Sequence, residues 1–420
     1  MSILLLHTRN LSRRKHLAQV RRYALEHGER LLMVMKNPTW EAGFVDRVVE
    51  ADTADLQETL DAARRLAADE TEPIRGVLTF VEQSVPAAAA VAAELDLPSV
   101  GEQAAYLARD KFAMRTAFGA AQLGQPGFAL ARDLAEAREA AALVGYPLVL
   151  KPLIGGGSKY VRRVDDDAGL AEHFDSIQRG AWTGFTHDPL HVSTRQEYGE
   201  AILLESYVPG SEISVESIVV GGRTHVVAIH DKPLPMEGPF FEEVYYTTPT
   251  RLPQELVDRI TAATATAHRA LGIDTGATHT EFRITAEGDL RILETAGRLG
   301  GGPVYQSVLL STGIDMVDAL LDVSTGREAD LVPPRPAKPT GFYLFFAERA
   351  GELTGVHGMD KVADDERVAE VVMYGEPGDK VLVPPHASAA HGHVLFSDET
   401  AEAVDAGFRE FRDIISVEVS

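Results

Sequence analysis

Residues 1–96 alternate between short apolar runs and longer helical patterns, and this alternation constrains the fold more than any other feature of the sequence. The runs SILLLHT, LLMVMK, RVVEAD and IRGVLTFVE have the length and apolar content of buried strands. Helical patterns over 13–26, 55–68 and 85–95 lie between or after them. Strands and helices that alternate with short connections form a parallel, doubly wound sheet. We therefore predict an N-terminal α/β domain over 1–96.

Polar residues just beyond such strands are candidates for ligand binding, because parallel sheets place ligands outside the carboxyl ends of their strands. His7, Arg9 and Glu82 each follow an apolar strand. The alternative is that they are ordinary loop residues. No GxGxxG motif follows the first strand, so a dinucleotide site in this domain has no support. Glu82 is retained as a candidate substrate contact.

The charge and the amino-acid usage exclude several classes of partner. The 420 residues include 40 lysine and arginine and 63 aspartate and glutamate residues, which gives a formal net charge of −23. This charge argues against nucleic acid or an anionic membrane as the main partner. There is no cysteine, which excludes disulfides, thiolate metal sites and a cysteine nucleophile. No apolar stretch approaches the roughly 20 residues that span a bilayer, so we expect a cytoplasmic protein.

Residues 279–302, HTEFRITAEGDLRILETAGRLGGG, predict two antiparallel strands joined by a turn. If Glu287 and Gly288 are the turn residues, Ala286 faces Asp289, and Glu281 faces Glu294. Carboxylates paired in this way lie about 5 Å apart and repel each other. A divalent cation such as Mg²⁺ relieves the repulsion, because it takes carboxylate oxygens as ligands.

The other face of this hairpin carries Phe282, Ile284 and Leu293, which we expect to be buried. The alternative interpretation is an exposed hairpin on which both glutamates are solvated.

A glycine-rich segment, GYPLVLKPLIGGGSKYVRRV, predicts a phosphate-binding loop. A buried strand ends at Lys151, and 155–158 then supply three glycines and a serine. Glycine backbone N–H groups can close over phosphate oxygens without obstruction from a Cβ, and Lys151 would supply a cation. The segment is not a Walker A loop, because the GxxxxGK[ST] order is absent. Glycine-rich hairpins without a ligand are a common alternative.

Three further segments are candidates for the same site. A helix is predicted over 102–120, with Lys111 near its middle. The segment LLESYVPG can offer backbone groups to an adenine edge, with the Glu205 carboxylate for the exocyclic amine. His230 and Lys232 stand at the start of the proline-rich segment HDKPLPMEGPFFEEVYYTTPT. Either side chain can reach a γ-phosphate or a substrate carboxylate. The aromatic residues at 240, 241, 245 and 246 either line a pocket or pack on the core.

The segments ARDK, GYPLVLKPLIGGGS, LLESYVPGSEISVE, HTEF and ILETAGRLGGG occur in an order that resembles the ATP-grasp superfamily of carboxylate–amine ligases. The resemblance covers roughly 97–330. It implies an ATP-grasp core of two α+β lobes, 97–202 and 203–330, and a small, mostly β C-terminal lobe over 331–420. Ala296 stands where many members carry asparagine, and this feature is similar to the amino-acid ligases that make dipeptides.

The resemblance also implies roles for individual residues. It assigns ATP binding to Lys111, Lys151, Gly155, Gly156, Gly157, Ser158, Glu205, Ser206, Val208 and Glu212. It assigns Mg²⁺, with Mn²⁺ as a substitute, to Glu281 and Glu294. It assigns catalysis to Arg298, Lys151 and Glu294. Candidate substrate contacts are Glu82, His230, Lys232, Arg298 and Gly301.

The expected function is an ATP- and Mg²⁺-dependent ligase. Such an enzyme activates a carboxylate, here that of an amino acid, as an acyl phosphate and couples it to an amine, here a second amino acid, with release of ADP and phosphate. We expect small-molecule substrates, no nucleic-acid or membrane partner, and a homodimer, since homodimers are the commonest soluble assembly. Two alternatives remain: an enzyme of purine-type metabolism that activates formate or bicarbonate, and a nucleotide-binding protein without catalysis.

Overall fold

The computed structural model describes residues 1–235, 238–387 and 389–420. Met236 and Glu237, which belong to the proline-rich loop, lie outside the described residues. Within the described ranges the strands form four sheets. No helix there is long and apolar enough to cross a membrane.

The N-terminal residues form a four-stranded parallel sheet with helices on both faces. Its elements are β1 (Ser2–Leu6), α1 (Arg14–Glu26), β2 (Arg30–Val34), β3 (Arg47–Val49), α2 (Leu56–Asp69), β4 (Ile74–Leu78) and α3 (Val85–Glu94). The strand order is β3-β2-β1-β4, and every pair is parallel. Side chains alternate between the faces of a strand, so Ile3 and Leu5 pack towards α1 while Leu4 and Leu6 pack towards α2 and α3. The predicted doubly wound domain is confirmed.

The next residues form a small antiparallel sheet covered by helices. Its elements are α4 (Glu102–Leu107), α5 (Lys111–Ala120), β5 (Phe128–Ala131), α6 (Leu134–Val144), β6 (Leu148–Lys151), β7 (Arg162–Val164), α7 (Asp167–Thr183), α8 (His191–Tyr198) and β8 (Ile202–Ser206). The strand order is β5-β8-β6-β7.

The prediction of a single helix over 102–120 is wrong, because the helix is interrupted before Lys111. Asp110 has an extended backbone and accepts hydrogen bonds from the N–H groups of Phe112 and Ala113. Aspartate is a favoured N-cap because its oxygen satisfies such N–H groups. Lys111 therefore lies in the first turn of α5 instead of the middle of a helix.

An eight-stranded sheet, built from strands of two consecutive parts of the chain, forms the centre of the protein. The elements of the second predicted lobe are β9 (Ser211–Val220), β10 (Arg223–Lys232), β11 (Tyr245–Thr248), α9 (Gln254–Leu271), β12 (Gly276–Ile284), β13 (Leu290–Ala296), α10 (Val304–Thr312) and α11 (Met316–Ser324). The C-terminal elements are β14 (Thr340–Phe345), β15 (Gly351–His357), α12 (Met359–Ala363), β16 (Val368–Met373), β17 (Lys380–Val381), β18 (Gly392–Ser397), α13 (Ala401–Ile414) and β19 (Ser416–Val419). The order β13-β12-β9-β10-β11-β14-β18-β16 shows that β14, β18 and β16 continue the central sheet, whereas β17, β15 and β19 form a separate three-stranded sheet.

The hairpin of β12 and β13 pairs Glu281 with Glu294, as predicted, but reaches that register differently. The N–H of Thr285 donates to the carbonyl of Asp289, so the loop has three residues, 286–288, and Gly288 has φ +81°. The predicted pairing of Ala286 with Asp289 is therefore wrong. A three-residue loop with glycine in the left-handed region is a common hairpin connection.

A β-bulge next to the glutamates restores the expected register. Phe282 pairs with Ile292, and the register shifts between Glu281 and Phe282. The bulged residue is Leu293, which lines a cavity instead of the core. Its predicted burial is wrong, because a bulge turns two successive side chains towards one face. Ile292 occupies the core position, next to Phe282.

Gly210, in the turn before β9, tests how closely this hairpin packs. Its φ is +122°, and a Cβ there would overlap the carbonyl oxygen of Ile284. We expect Gly210→Ala to destabilise the protein by about 3 kcal/mol through strain and overlap. Gly222→Ala is the matched control: φ is +74°, with nothing within 4 Å of the added Cβ, so we expect about 1 kcal/mol. Thermal unfolding measures both, and equal shifts would contradict the close approach.

Candidate active site

A cavity of about 600 Å³ lies where the small antiparallel sheet faces the central sheet and the C-terminal strands. This volume is in the range of sites for small ligands. Most of the predicted site residues line it: Lys111, Lys151, Gly155, Gly156, Gly157, Ser158, Glu205, Ser206, Val208, Glu212, Glu281, Glu294, Arg298 and Gly301. Glu82, His230 and Lys232 lie behind its wall, among the residues that support it.

One end of the cavity is cationic and is bounded by the glycine loop. The Lys111 ammonium donates to the carbonyl of Gly155 at 3.0 Å and lies 3.8 Å from Glu294. Lys151 ends β6 and points into the same space. Gly155 has φ +98°, and a Cβ there would overlap the ring of Phe185. Glycine is therefore required at this position for both backbone conformation and space.

Glu205 is held by two cations. Its carboxylate lies 2.6 Å from Arg115 Nε and 2.7 Å from Lys151 Nζ. Burial favours a higher pKa for Glu205, but Arg115 and Lys151 outweigh it and lower the pKa to about 2. Both carboxylate oxygens are in use, so the prediction that this side chain meets an adenine amine is not supported by the contacts. Arg115 was missed, although it lies one helical turn after Lys111.

An acidic cluster surrounds a buried lysine beside the cavity. Lys232 Nζ lies 2.7 Å from Glu212 and 2.8 Å from Glu281, and it also contacts Glu243. Burial favours a lower pKa for Lys232, but the three carboxylates outweigh it and raise the pKa well above its usual value. These contacts argue against the predicted direct contact of Lys232 with substrate, because three carboxylates already surround its ammonium group.

Glu243 was missed by the sequence analysis, because nothing in its local pattern separates it from neighbouring Glu242. Burial raises the pKa of Glu243 to about 7, with Glu281 adding to the effect and Lys232 opposing it. Oxygens of Glu212, Glu243 and Glu281 lie within 4.8 Å of one another. Such a set of hard oxygen donors suits Mg²⁺. This set shares Glu281 with the predicted metal pair but contains Glu243 and Glu212 instead of Glu294.

Arg298 also lines the cavity and is held from behind by Glu82. Glu82 contacts Arg298 Nε and lies 3.2 Å from a terminal nitrogen of Arg109, which in turn pairs with Asp188. Burial favours a higher pKa for Glu82, but Arg298 and Arg109 lower it to about 2. These contacts favour a role for Glu82 other than the predicted contact with substrate, because its carboxylate is paired with the arginine that lines the cavity.

Two histidines near the cavity have different environments. His230 is fully buried, and its Nε2 lies 2.8 Å from the hydroxyl of Ser307. Its predicted contact with substrate is wrong, because no part of the ring reaches the cavity. His279 lines the cavity, with Nδ1 2.6 Å from Glu216 and Nε2 3.4 Å from Glu281. It was missed, although it begins the HTEF segment.

The environment of His279 predicts a dependence of stability on pH. Burial favours a lower pKa for His279, but Glu216 and Glu281 outweigh it and raise the pKa to about 10. The unfolded value is about 6.5, so this stabilisation is complete below pH ~6.5 and is lost as the pH rises towards ~10.

We expect His279→Gln to remove this dependence, because glutamine can donate to Glu216 but does not titrate. The melting temperature of the wild type should fall more steeply than that of the variant between about pH 6.5 and 10. Parallel curves would show that His279 is not charged in the folded protein.

Comparisons with known proteins agree with this arrangement. Residues 144–305 match the model of the ATP-grasp domain, and 343–420 match that of the L-amino acid ligase C-terminal domain 2. The uncharacterized protein y4rH of Sinorhizobium fredii is 28% identical over 337 residues, which are 80% of this chain and 66% of that protein. Alanine–anticapsin ligase of Bacillus subtilis is 31% identical over 246 residues, 56% of this chain and 51% of that protein. The chain thus spans between half and two thirds of these relatives.

Two solved structures share the fold over the whole chain. The L-amino acid ligase of Bacillus licheniformis superposes with a TM-score of 0.82 at 26% identity, covering 100% of this chain and 99% of that one. Phosphoribosylglycinamide synthetase of Anaerococcus prevotii superposes with a TM-score of 0.72 at 15% identity, covering 100% of both. The second likeness shows the fold alone.

Proposed function

Because the chain carries an ATP-grasp domain followed by an L-amino acid ligase C-terminal domain, we propose that it is an ATP- and Mg²⁺-dependent ligase that forms an amide bond. Its substrates are a carboxylate, that of an amino acid, and an amine, that of a second amino acid. ADP and phosphate are the other products. The observation that supports this proposal most is the cavity that combines two lysines, a glycine loop, an acidic cluster and Arg298.

The chemistry explains why a nucleotide site and an arginine share one cavity. A carboxylate is a poor acyl donor, because an oxide would have to leave. Transfer of the γ-phosphoryl group of ATP gives an acyl phosphate and ADP, and the amine then displaces phosphate. Catalysis of phosphoryl transfer rests on positioning and on stabilisation of charge, which are the tasks that cations near a flexible loop can perform.

Lys111 and Lys151 are proposed to bind the phosphates of ATP. The Lys111 ammonium donates to the carbonyl of Gly155 in the glycine loop, and Lys151 lines the same cavity. Ser158 and the three preceding glycines would close over the phosphates and exclude water, which limits hydrolysis of the acyl phosphate. Backbone groups of Ser206 and Val208 are proposed to contact the purine, because the Glu205 carboxylate is engaged by Arg115 and Lys151.

Glu281, Glu294 and Glu243 are proposed to hold Mg²⁺. When bound, the ion neutralises charge on phosphate oxygens. Lys232 contacts two of these carboxylates, Glu243 and Glu281, in their resting arrangement. Glu212 accepts hydrogen bonds from both Lys232 and Arg283, so we propose that it orients the Lys232 ammonium towards the other carboxylates.

Arg298 is proposed to bind the substrate carboxylate and then the oxyanion of the tetrahedral adduct. Its guanidinium offers several donors in one plane, which suits two-point binding of carboxylate oxygens. Glu82 restricts its orientation from behind the cavity wall. A group held in this way loses little freedom when the transition state forms.

An amino-acid substrate is supported by the apolar part of the cavity lining. Phe342, Leu344 and Tyr246 belong to it. A one-carbon substrate such as formate or bicarbonate would use little of this surface. The relatives named alanine–anticapsin ligase and L-amino acid ligase also favour amino acids. A homodimer remains part of the proposal and can be tested by light scattering.

The function can be tested by phosphate release from ATP and Mg²⁺ across single and paired amino acids, formate and bicarbonate, with products weighed by mass spectrometry. We expect turnover to require two partners and to give a product lighter than their sum by one water. Stimulation by formate or bicarbonate alone would replace this proposal with the one-carbon alternative. ATP binding without turnover under any condition would favour a non-catalytic protein. If Glu294→Ala turns over ATP normally, the metal assignment is wrong.

Glu82→Gln tests the support of Arg298. We expect kcat to fall by about 100-fold, because the guanidinium loses its fixed orientation, while the KM for ATP stays the same. Glu29→Gln is a matched control, because Glu29 is also a buried carboxylate paired with an arginine, Arg327. Neither of these two residues lines the cavity. Equal losses in the two variants would show that Glu82 contributes stability alone.

A further inference from the structure

A chain of hydrogen-bonded side chains leads from the cavity towards the surface. Tyr374 lines the cavity, and its hydroxyl oxygen lies 2.6 Å from Nδ1 of His393. The other ring nitrogen, Nε2, lies 2.6 Å from Glu370 Oε1. Glu370 pairs through Oε2 with the half-exposed ammonium of Lys15. The function proposed above assigns no role to these four residues.

The pairing of β16 with β18 sets this geometry. Glu370 lies in β16, and Tyr374 directly follows that strand. His393 lies opposite Val372 on β18, between them along the pair. The N–H of Tyr374 donates to the carbonyl of His391 at 2.7 Å, which holds the tyrosine against the end of β18. Lys15 comes from α1, so the chain of contacts joins the C-terminal strands to the N-terminal domain.

The partners of His393 determine where its hydrogen lies. A carboxylate paired with an ammonium group can only accept, so Nε2 carries the ring hydrogen and donates it to Glu370. Nδ1 therefore accepts from the hydroxyl of Tyr374. Burial lowers the pKa of His393 to about 3, with Lys15 adding to the effect, so the ring is neutral. The phenolic oxygen keeps lone pairs that can accept a proton from the cavity.

The hydroxyl of Tyr374 lies close to the glycine segment that follows Arg298. It is 3.7 Å from the place that a Cβ would occupy at Gly302, four residues after Arg298. Gly301 and Gly302 both line the cavity and carry no side chain, so nothing from these residues blocks the approach. Arg13 faces both Arg298 and Tyr374, so the two side chains meet the same part of the cavity, and an amine that attacks an acyl group held by Arg298 would be placed there.

Amide formation from an ammonium requires two protons to leave. The ammonium nitrogen carries three N–H protons, and the amide nitrogen retains one. As the C–N bond forms, the C–O bond to phosphate breaks, and the departing phosphate takes one proton. The second proton needs another acceptor.

We propose that Tyr374, His393 and Glu370 form the relay that takes this second proton, with Tyr374 as the catalytic residue and the other two as its positioning partners. This inference rests on the proposed function. The nitrogen gives its proton to the oxygen of Tyr374, the hydroxyl proton moves to Nδ1 of His393, and the proton on Nε2 moves to Glu370. Glu370 then releases it to solvent beside Lys15. His393 stays neutral throughout and changes only its tautomer.

The buried surroundings of the relay keep Tyr374 protonated and His393 neutral, so the relay passes a proton on and does not retain it. Arg13 and Tyr305 face Tyr374, and burial raises the pKa of Tyr374 while Arg13 opposes the rise. The hydroxyl is therefore protonated at rest. Lys15 and Glu370 face His393 on its other side.

Tyr374→Phe tests the relay with two amines that differ in proton count. Amino acids enter as ammonium ions and need the relay. Hydroxylamine is neutral near neutral pH, so it loses a single proton, which phosphate can take. We expect amino-acid coupling to fall by about 100-fold or more, as for loss of a general base, and hydroxamate formation to stay at the wild-type rate. Glu370→Gln should show the same split.

The remaining coupling activity of Tyr374→Phe should also depend more strongly on pH. Without the relay the rate should follow the free amine in solution, rising by about tenfold per pH unit below the amine pKa. Tyr245→Phe is a matched control, because the Tyr245 hydroxyl donates to Asp405 at 2.9 Å and lies outside the cavity lining. It should behave as the wild type with both amines.

Each other outcome is decisive. Wild-type coupling by Tyr374→Phe, or an equal loss with both amines, would overturn the relay. A wild-type protein that makes neither hydroxamate nor ADP would instead overturn the proposed function.

Discussion

The compensation of buried charge around Lys232 determines how the central strands meet. Glu212 lies on β9, Lys232 on β10 and Glu281 on β12, and these strands are neighbours. The register places Lys232 opposite Glu212, and Glu212 opposite Arg283. A buried charge without its partner is strongly destabilising, so a shift by one residue would leave several ions uncompensated. The acidic cluster and the strand register therefore depend on each other.

The same principle recurs at two of the cations that line the cavity. Lys151 is held by Glu205, which also binds Arg115, and Arg298 is held by Glu82, which also binds Arg109. In each case a buried carboxylate fixes a cation that lines the cavity. Cations fixed before a ligand arrives need little reorganisation when charge develops in a transition state. These two carboxylates are thus as important to the proposed chemistry as the cations that they hold.

The sequence predicted those parts of the site that depend on short stretches of chain. The strand alternation over 1–96, the glycine loop after Lys151 and the pairing of Glu281 with Glu294 all follow from local patterns, because side-chain direction alternates along a strand and glycine permits special backbone conformations. The predictions of the turn and of the position of Leu293 failed, and the two errors cancelled at the glutamate pair. A three-residue loop shifted the hairpin by one position, and the bulge at Leu293 shifted it back.

Sequence alone thus determined the doubly wound domain, the order of the motifs and the paired glutamates, since each depends on residues that are close along the chain. Tertiary structure decided which charges meet. Glu243 joins the acidic cluster, Glu82 lies behind Arg298, and Tyr374 meets His393, because strands that are distant in sequence become neighbours in one sheet. The sequence around a single carboxylate, histidine or tyrosine does not indicate which side chain it will contact. The contact becomes strong only when burial removes water, because the partner is then the remaining group that can stabilise the charge or the hydrogen bond.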